Sequence, residues 1–241
     1  MRIALAQLNP IVGDIAGNLE LARTALAEAA DADLLVFPEL FMCGYPPEDL
    51  VLNGGFQADV RAAVEALAAQ TGSSGPAIGM GTPWVVDAVL HNSVAILDDG
   101  KVQAVTHKVD LPNYGVFDEK RVFTPGPMPG PIGVRGVRIG FPICEDIWQP
   151  DVCECLEETG AELLIAPNGS PFSWQKQAVR EQIAVARVTE NELPLIYLNQ
   201  VGGQDELVFD GASFALHADR TLALQLPAFD AKTVRTTWEK N

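Results

Sequence analysis

The amino-acid sequence predicts an α/β fold, in which the strands of a buried sheet alternate with helices that cover it. Short apolar runs rich in β-forming residues alternate with longer amphipathic stretches along nearly the whole chain. Two of these runs, Glu-Leu-Leu-Ile-Ala and Pro-Leu-Ile-Tyr-Leu, are almost continuously apolar, which is typical of strands covered on both faces. Layered α/β folds reach 241 residues as one unit, so we expect a single domain over 1–241.

The first half of the chain is predicted to begin with a strand and to contain two helices. Asn18 is a suitable N-cap for the first helix, because its side chain can accept a hydrogen bond from the first turn. An Asp-Asp-Gly sequence at 98–100 lies between two β-like runs and predicts a hairpin turn. The predicted strands cover 3–8, 34–37, 77–81, 93–97 and 101–107, and the predicted helices cover 18–30 and 56–69.

The second half begins with a long segment, 111–131, that contains five prolines and is predicted to be an irregular loop. Loops of this length in compact domains are often functional. A strand over 137–143 follows and ends at Cys144, although Pro142 cannot donate to a sheet ladder and is expected to interrupt it. The remaining predicted elements are helices over 150–160 and 175–190 and strands over 162–166, 195–198, 212–217 and 222–226.

The composition argues against several kinds of partner. The formal net charge is −16, and without a Lys/Arg cluster the chain is not expected to bind nucleic acid. A bilayer requires roughly 20 consecutive apolar residues, and no run approaches that length, so no membrane partner is expected. The N-terminus lacks the long apolar region of a signal peptide, which favours a cytoplasmic location.

The cysteines do not indicate a disulfide framework or a metal centre. A cytoplasmic chain of this size with four cysteines is expected to keep them reduced. Cys153 and Cys155 form a Cys-x-Cys pair, but zinc would need two more well-spaced ligands, and the three histidines are scattered. No metal ligands are therefore predicted.

Three polar residues, each at the end of an apolar run, could together form a hydrolytic site. They are Glu39, Lys108 and Cys144, and strand ends are where ligands bind in open α/β sheets. Glu39 could take the thiol proton, Lys108 could stabilise the thiolate and the oxyanion, and Cys144 could attack an amide carbonyl. Each residue also has an ordinary structural interpretation, since a Glu or Lys at a strand end is usually solvated and a Cys after an apolar run usually packs.

Longer motifs around these positions resemble the nitrilase superfamily of carbon–nitrogen hydrolases, which use a Glu-Lys-Cys triad. Those motifs are FPEL at 37–40, HKVDL at 107–111 and ICEDIW at 143–148. Within the superfamily, the chain resembles the glutaminase domains of glutamine-dependent NAD⁺ synthetases over about residues 1–238. The motifs that narrow the resemblance are GYPPEDL at 44–50, KVDLPNYGVFDE at 108–119, NGSPF at 168–172 and NQVGGQDELVFDG at 199–211.

The resemblance implies roles for further residues and a more specific fold. The implied glutamine contacts are Tyr114, Ser170 and Lys176. Glu119 is implied to hold Lys108 in position, and the amide of Glu145 is the natural second oxyanion donor beside Lys108. The implied fold is a four-layer α-β-β-α sandwich that pairs through its helices into an eight-layer dimer, and the resemblance also allows larger homo-oligomers.

The implied activity is hydrolysis of L-glutamine through a thioester, which supplies ammonia to an NAD⁺ synthetase domain. No Ser-Gly-Gly-x-Asp-Ser pyrophosphate loop occurs, so that ATP- and Mg²⁺-using domain is expected to be absent and glutamine hydrolysis to need no cofactor. The chain is then either a separated domain or a free-standing relative. Two alternatives remain: an amidase of the ω-amidase kind acting on another small amide, and a non-catalytic domain, against which the intact triad argues.

Overall fold

The computed structural model describes residues 1–72 and 75–240 and contains helices and strands in alternation. The α-helices are α1 (Ile15–Glu28), α2 (Gly54–Ala68), α3 (Glu119–Val122), α4 (Asp151–Glu158) and α5 (Lys176–Asn191), and 3-10 helices cover Glu48–Leu52 and Cys144–Ile147. The first strands are β1 (Arg2–Gln7), β2 (Leu34–Val36), β3 (Ala77–Val86), β4 (Val89–Asp98), β5 (Lys101–His107), β6 (Ile132–Val134) and β7 (Val137–Gly140). The later strands are β8 (Leu163–Asn168), β9 (Leu195–Asn199), β10 (Val201–Gln204), β11 (Leu207–Asp210), β12 (Phe214–Leu216), β13 (Leu222–Gln225) and β14 (Lys232–Thr237).

Most of the strands form two sheets of similar topology. One sheet has the order β14-β1-β2-β3-β4-β5, and the other has the order β13-β12-β9-β8-β7-β6. The neighbours β1, β2 and β3 run parallel in the first sheet, as β7, β8 and β9 do in the second, while the outer strands pair antiparallel. A separate hairpin is formed by β10 and β11.

The alternation of side chains along each central strand builds three apolar layers. In β1, Ile3 and Leu5 face the second sheet, whereas Ala4 and Ala6 pack towards α1 and α2. In β8, Leu163 and Ile165 lie between the sheets, and the alternate residues pack towards α4 and α5. The layers therefore follow the order α-β-β-α, and the predicted fold class is confirmed. No helix in the described part of the chain has both the length and the apolar character to cross a membrane.

The predicted start of the first helix is wrong by three residues. Helix α1 begins at Ile15, and Asp14 caps it by accepting a hydrogen bond from Gly17 N at 2.9 Å. Asn18 is buried within the helix, where its side-chain oxygen accepts from Ile11 N and its nitrogen donates to Ile11 O, both at 2.8 Å. Asn18 thus fixes the loop before the helix instead of capping it.

Several elements have no counterpart in the sequence-based prediction. The loop predicted at 111–131 contains helix α3, and strands β6, β10, β11 and β14 were all missed. Strand β14 is half-exposed and polar (KTVRTT), and it forms because β1 offers an antiparallel partner along its whole length. Pairing of this kind depends on a distant segment, so local apolar periodicity does not reveal it.

The strand that leads to Cys144 is shorter than predicted. Strand β7 ends at Gly140, and the chain passes through Pro142 before Cys144 begins a 3-10 helix. The expected interruption at Pro142 is confirmed. Cys144 itself has φ of +49°, a left-handed conformation that is uncommon for a residue with a side chain.

Candidate active site

The ends of three strands bring Glu39, Lys108 and Cys144 into one buried cluster. Glu39 follows β2, Lys108 directly follows β5, and Cys144 follows β7 after a short irregular stretch. Glu39 and Lys108 are fully buried, and Cys144 is only 4% exposed. The three residues proposed from their strand-end positions therefore lie close enough for each charge to affect the others.

Lys108 is held between two carboxylates. Its Nζ donates to Glu39 Oε1 at 2.7 Å and to both carboxylate oxygens of Glu119 at 2.9 Å. Burial alone would lower the pKa of Lys108, but Glu119 and Glu39 outweigh it and raise that pKa well above its ordinary value. The fully buried Lys108 side chain is therefore held in its ammonium form by its two carboxylate partners.

The thiol of Cys144 is protonated in the resting protein. Burial raises the pKa of Cys144 well above its ordinary value, and the charge of Glu39 raises it further, while Lys108 lowers it. Because the net shift is upward, the thiol does not ionise by itself at neutral pH. An attack by Cys144 requires a neighbouring base, and Glu39 is the carboxylate whose charge acts on it most strongly.

Glu39 is oriented by two donors besides Lys108. Its Oε2 accepts from Gly169 N at 2.8 Å, and its Oε1 accepts from Asn92 Nδ2 at 2.7 Å. A Cβ atom at Gly169 would lie 2.7 Å from the ring of Tyr45, so glycine is required for this close approach. Asn92 lies fully buried in strand β4, with its side chain facing Glu39.

Glu119, predicted to support Lys108, lies in α3 within the proline-rich segment. It is buried and accepts a third hydrogen bond, from Tyr45 Oη at 2.8 Å. Burial raises the pKa of Glu119, and Lys108 opposes this rise. The role of Tyr45 was missed because an isolated tyrosine in a Gly-Tyr-Pro sequence is not distinguished from a packing residue.

A second group of side chains lies beside the triad. Tyr114 is half-exposed, and its hydroxyl lies 2.9 Å from each carboxylate oxygen of Glu145, so it can donate to either. Lys176 Nζ lies 4.3 Å from the centroid of the Trp148 ring, a cation–π contact. Burial lowers the pKa of Lys176, and the positive charge of Arg180 lowers it further, although the Glu145 carboxylate favours the ionised form. The Glu145 carboxylate and the Lys176 ammonium group thus both lie near Cys144.

The backbone amide of Glu145 directly follows Cys144 in the chain. Within the described residues, no protein acceptor takes its hydrogen. Tyr114 and Glu145 also line a surface cleft of about 470 Å³ together with Asp110, Asn113 and Gln149. A cleft of this size can admit a small-molecule ligand.

Ser170 is buried and is contacted mainly by an arginine that the sequence did not single out. Arg180 donates from Nε to Ser170 Oγ at 3.1 Å and from Nη2 to Ser170 O at 2.8 Å. The same guanidinium donates from Nη1 to both oxygens of Asp210 at 2.8 and 2.9 Å. Asn199 Oδ1 accepts from Ser170 N at 2.9 Å. Ser170 is therefore held rigidly, and its contacts do not join it directly to Tyr114 or Lys176.

Two other cysteines lie outside this cluster and are buried. They are Cys43 and Cys153, and burial raises the pKa of Cys153 to about 12. No cluster of three or more His, Cys, Asp or Glu side chains within residues 1–72 and 75–240 is arranged to hold a metal ion.

Comparison with known proteins places the chain in a family. Residues 2–237 match the carbon-nitrogen hydrolase family. The chain is 48% identical over 241 residues to a glutamine-dependent NAD⁺ synthetase from Rhodobacter capsulatus, covering 99% of this chain and 44% of that protein. It is 41% identical over 223 residues to the synthetase of the same name from Thermotoga maritima, covering 90% of this chain and 38% of that protein. The chain thus spans less than half the length of these relatives.

Solved structures show the same fold. The glutamine-dependent NAD⁺ synthetase from Acinetobacter baumannii aligns with a TM-score of 0.90 and 36% identity, covering 97% of this chain and 44% of that one. A variant of the amidase from Nesterenkonia sp. AN1, with acrylamide added at its active-site cysteine, aligns with a TM-score of 0.85 and 27% identity, covering 99% and 93%. The resemblance predicted from the motifs is confirmed: the chain belongs to the carbon–nitrogen hydrolase family of enzymes.

Proposed function

We propose that this chain hydrolyses the side-chain amide of L-glutamine to glutamate and ammonia through a thioester on Cys144. The observation that supports this most strongly is the buried Lys108 ammonium, held between Glu39 and Glu119 beside a protonated thiol. A base, a fixed positive charge and a nucleophile are the groups that acyl transfer from an amide requires.

In the first half of the reaction, the Cys144 sulfur attacks the amide carbonyl carbon while Glu39 accepts the thiol proton. The carbonyl oxygen becomes an oxyanion, for which Lys108 Nζ and the amide of Glu145 serve as donors. Glu39 then passes its proton to the amide nitrogen, the carbon–nitrogen bond breaks, and ammonia leaves. The acyl group remains on sulfur as a thioester.

In the second half, water attacks the thioester carbonyl and Glu39 accepts a proton from that water. The same two donors stabilise the second oxyanion. The carbon–sulfur bond then breaks, the sulfur recovers its proton from Glu39, and glutamate is released. Glu39 takes part in every proton transfer of both halves, so the hydrolysis of glutamine needs no cofactor.

Glutamine is the proposed substrate because charged groups of both signs lie beside the nucleophile. The Glu145 carboxylate, with Tyr114, suits the α-ammonium group, and Lys176 and the Ser170 hydroxyl suit the α-carboxylate. The names of the synthetase relatives, which call those proteins glutamine-dependent, support the same choice.

The proposed use of the ammonia follows from the length of the relatives. Those synthetases are about twice as long as this chain, so ammonia would be used by a further synthetase domain that amidates deamido-NAD⁺. ATP and Mg²⁺ would serve that domain and not the glutaminase site. The assembly of this chain into homo-oligomers remains a prediction.

The test of the proposed chemistry is glutaminase activity in the wild type and in Cys144→Ala. We expect activity in the wild type and none in the variant, while Cys153→Ala, which removes a buried thiol elsewhere, retains it. An electrophilic glutamine analogue should label Cys144 alone. Labelling of Cys153 or Cys155 in place of Cys144 would refute the assignment.

The alternative is an amidase that acts on another small amide, which the 93% coverage of the Nesterenkonia enzyme favours. Initial rates with glutamine, asparagine and α-ketoglutaramate separate the two functions. Glutamine should have the highest kcat/KM, and a far higher value for either of the other amides would establish the alternative.

A further inference from the structure

Asp146 is a buried carboxylate close to the triad that the proposed mechanism does not use. It is 1% exposed and accepts hydrogen bonds from three backbone amides. Its Oδ1 accepts from Val109 N at 3.0 Å and from Asp110 N at 2.7 Å, and its Oδ2 accepts from Ile143 N at 2.8 Å. One of these donors immediately precedes Cys144, and the other two immediately follow Lys108.

These three amides belong to chain segments that have just left a sheet. Strand β5 ends at His107, so Val109 and Asp110 have no strand partner for their N–H groups. Strand β7 ends at Gly140, and the intervening Pro142 has no N–H to donate. Buried N–H groups without partners are destabilising, and Asp146 accepts from all three.

A capping role for the 3-10 helix Cys144–Ile147 accounts for only one of these contacts. The cap requires Asp146 to accept from Ile143 N, and that bond is local. The bonds to Val109 and Asp110 join segments that are 37 and 36 residues apart in the chain. They tie the end of β5 to the turn that carries the nucleophile.

We propose that Asp146 is a positioning residue that sets the place of Lys108 relative to Cys144. Its two oxygens accept from backbone amides of both segments, so the carboxylate holds the Lys108 ammonium and the Cys144 thiol at a fixed separation. We call this set of three hydrogen bonds the bracket. The inference rests on the proposed function, because it assumes that Lys108 and Cys144 act together. It also explains why two acidic residues follow the nucleophile: Glu145 faces Tyr114, and Asp146 faces the backbone.

Asp146→Asn tests the bracket with almost no change in volume. An amide has one acceptor oxygen, so its NH₂ group must face either Ile143 N or the Val109–Asp110 pair, and one side of the bracket opens. We expect kcat per active site to fall on the order of 100-fold, as for a misplacement of about 1 Å. The KM for glutamine should change by less than about 3-fold, because Tyr114 and Lys176 are not held by Asp146.

Two measurements separate positioning from a simple loss of folded protein. Counting active sites with the glutamine analogue gives kcat per labelled Cys144. The pH profile of Cys144 alkylation by iodoacetamide should move to higher pH in Asp146→Asn, because a displaced Lys108 stabilises the thiolate less. Asp151→Asn, an exposed carboxylate on α4, is the matched control and should leave both readouts unchanged.

If Asp146→Asn does not fold, Asp146→Glu provides the same test, because it retains both acceptors and shifts them by one methylene. A kcat per labelled site within about 3-fold of wild type, with an unmoved alkylation profile, would overturn the inference. A wild type that does not hydrolyse glutamine would overturn the proposed function alone, since the alkylation profile tests the bracket without substrate.

Discussion

Replacement of Arg180 by lysine should weaken glutamine binding without removing the catalytic groups. Arg180 is fully buried in α5 and supports Ser170 through Nε and Nη2, while Nη1 pairs with Asp210. Lysine retains the positive charge that neutralises Asp210. It loses the planar fork that contacts Ser170 and also Pro171 O, which accepts from Nη2 at 3.0 Å.

The expected size of the effect follows from the chemistry of Ser170. In the wild type its Oγ accepts from Arg180 Nε, so the hydroxyl hydrogen remains available for an acceptor such as the substrate carboxylate. A hydrogen bond to a charged group contributes about 1.5–3 kcal/mol, which corresponds to a rise in KM of about 10- to 150-fold. The value of kcat should change little, because Glu39, Lys108 and Cys144 do not contact Arg180.

The assay compares glutamine with 4-aminobutanamide, which lacks the α-carboxylate. Arg180→Lys should raise KM for glutamine and leave kcat/KM for 4-aminobutanamide nearly unchanged. Arg187→Lys is the matched control, because Arg187 lies in the same helix, is mostly buried and pairs with Glu190 at 2.8 Å. A fall in kcat at constant KM, or an equal loss with both amides, would refute the assignment of Ser170 to the carboxylate.

Two further predictions concern the surroundings of Lys108. Glu119→Gln should lower kcat by about 10- to 100-fold, because the amide has one neutral acceptor oxygen in place of the two carboxylate oxygens that accept from Lys108 Nζ. Tyr45→Phe should cost less than about 10-fold, and wild-type kcat in Glu119→Gln would contradict this role. Burial and the nearby His91 lower the pKa of His107 to about 4, so the folded protein binds fewer protons than the unfolded chain between pH 6.5 and 4, and stability falls as pH drops through this range. The free energy of unfolding, measured in urea at pH 7.5 and at pH 5, should therefore differ between the two pH values by about 1–2 kcal/mol less in His107→Gln than in the wild type, a figure already reduced for the partial exposure of His107. An equal difference in both proteins would contradict the prediction.

The proximity of the three residues could be predicted because each of them interrupts an apolar run. Glu39, Lys108 and Cys144 are polar residues at points where buried strands end, and the order of the surrounding motifs matches one superfamily. The layered fold could also be predicted from the sequence, since strands such as β8 and β9 are apolar on both faces. Local pattern and local chemistry agree at these positions.

Strand β14 and the side chains that support the site could not be predicted in the same way. Strand β14 depends on a partner more than 200 residues away, and its own residues are mostly polar. In the sequence Asn92 is not distinguished from an ordinary strand or turn residue. Its role is evident only in the fold, where Asn92 Nδ2 lies 2.7 Å from Glu39 Oε1. Arg180 falls on a helix with many charges, where solvent exposure is the usual expectation.

Asp146 and Arg180, which the sequence did not indicate, have the same physical role: each satisfies buried backbone groups that have no partner in a strand. Glu39, Lys108 and Cys144 all lie where a strand has ended, and buried chain beyond the end of a strand has backbone groups without ladder partners. Asp146 accepts from such amides beside Lys108 and Cys144, and Arg180 donates to such carbonyls beside Ser170. The polar side chains that complete the hydrogen bonding are therefore the ones that determine where the reacting groups lie. For this reason, the sharpest tests of the site are Asp146→Asn and Arg180→Lys, which alter geometry while every reacting group remains present.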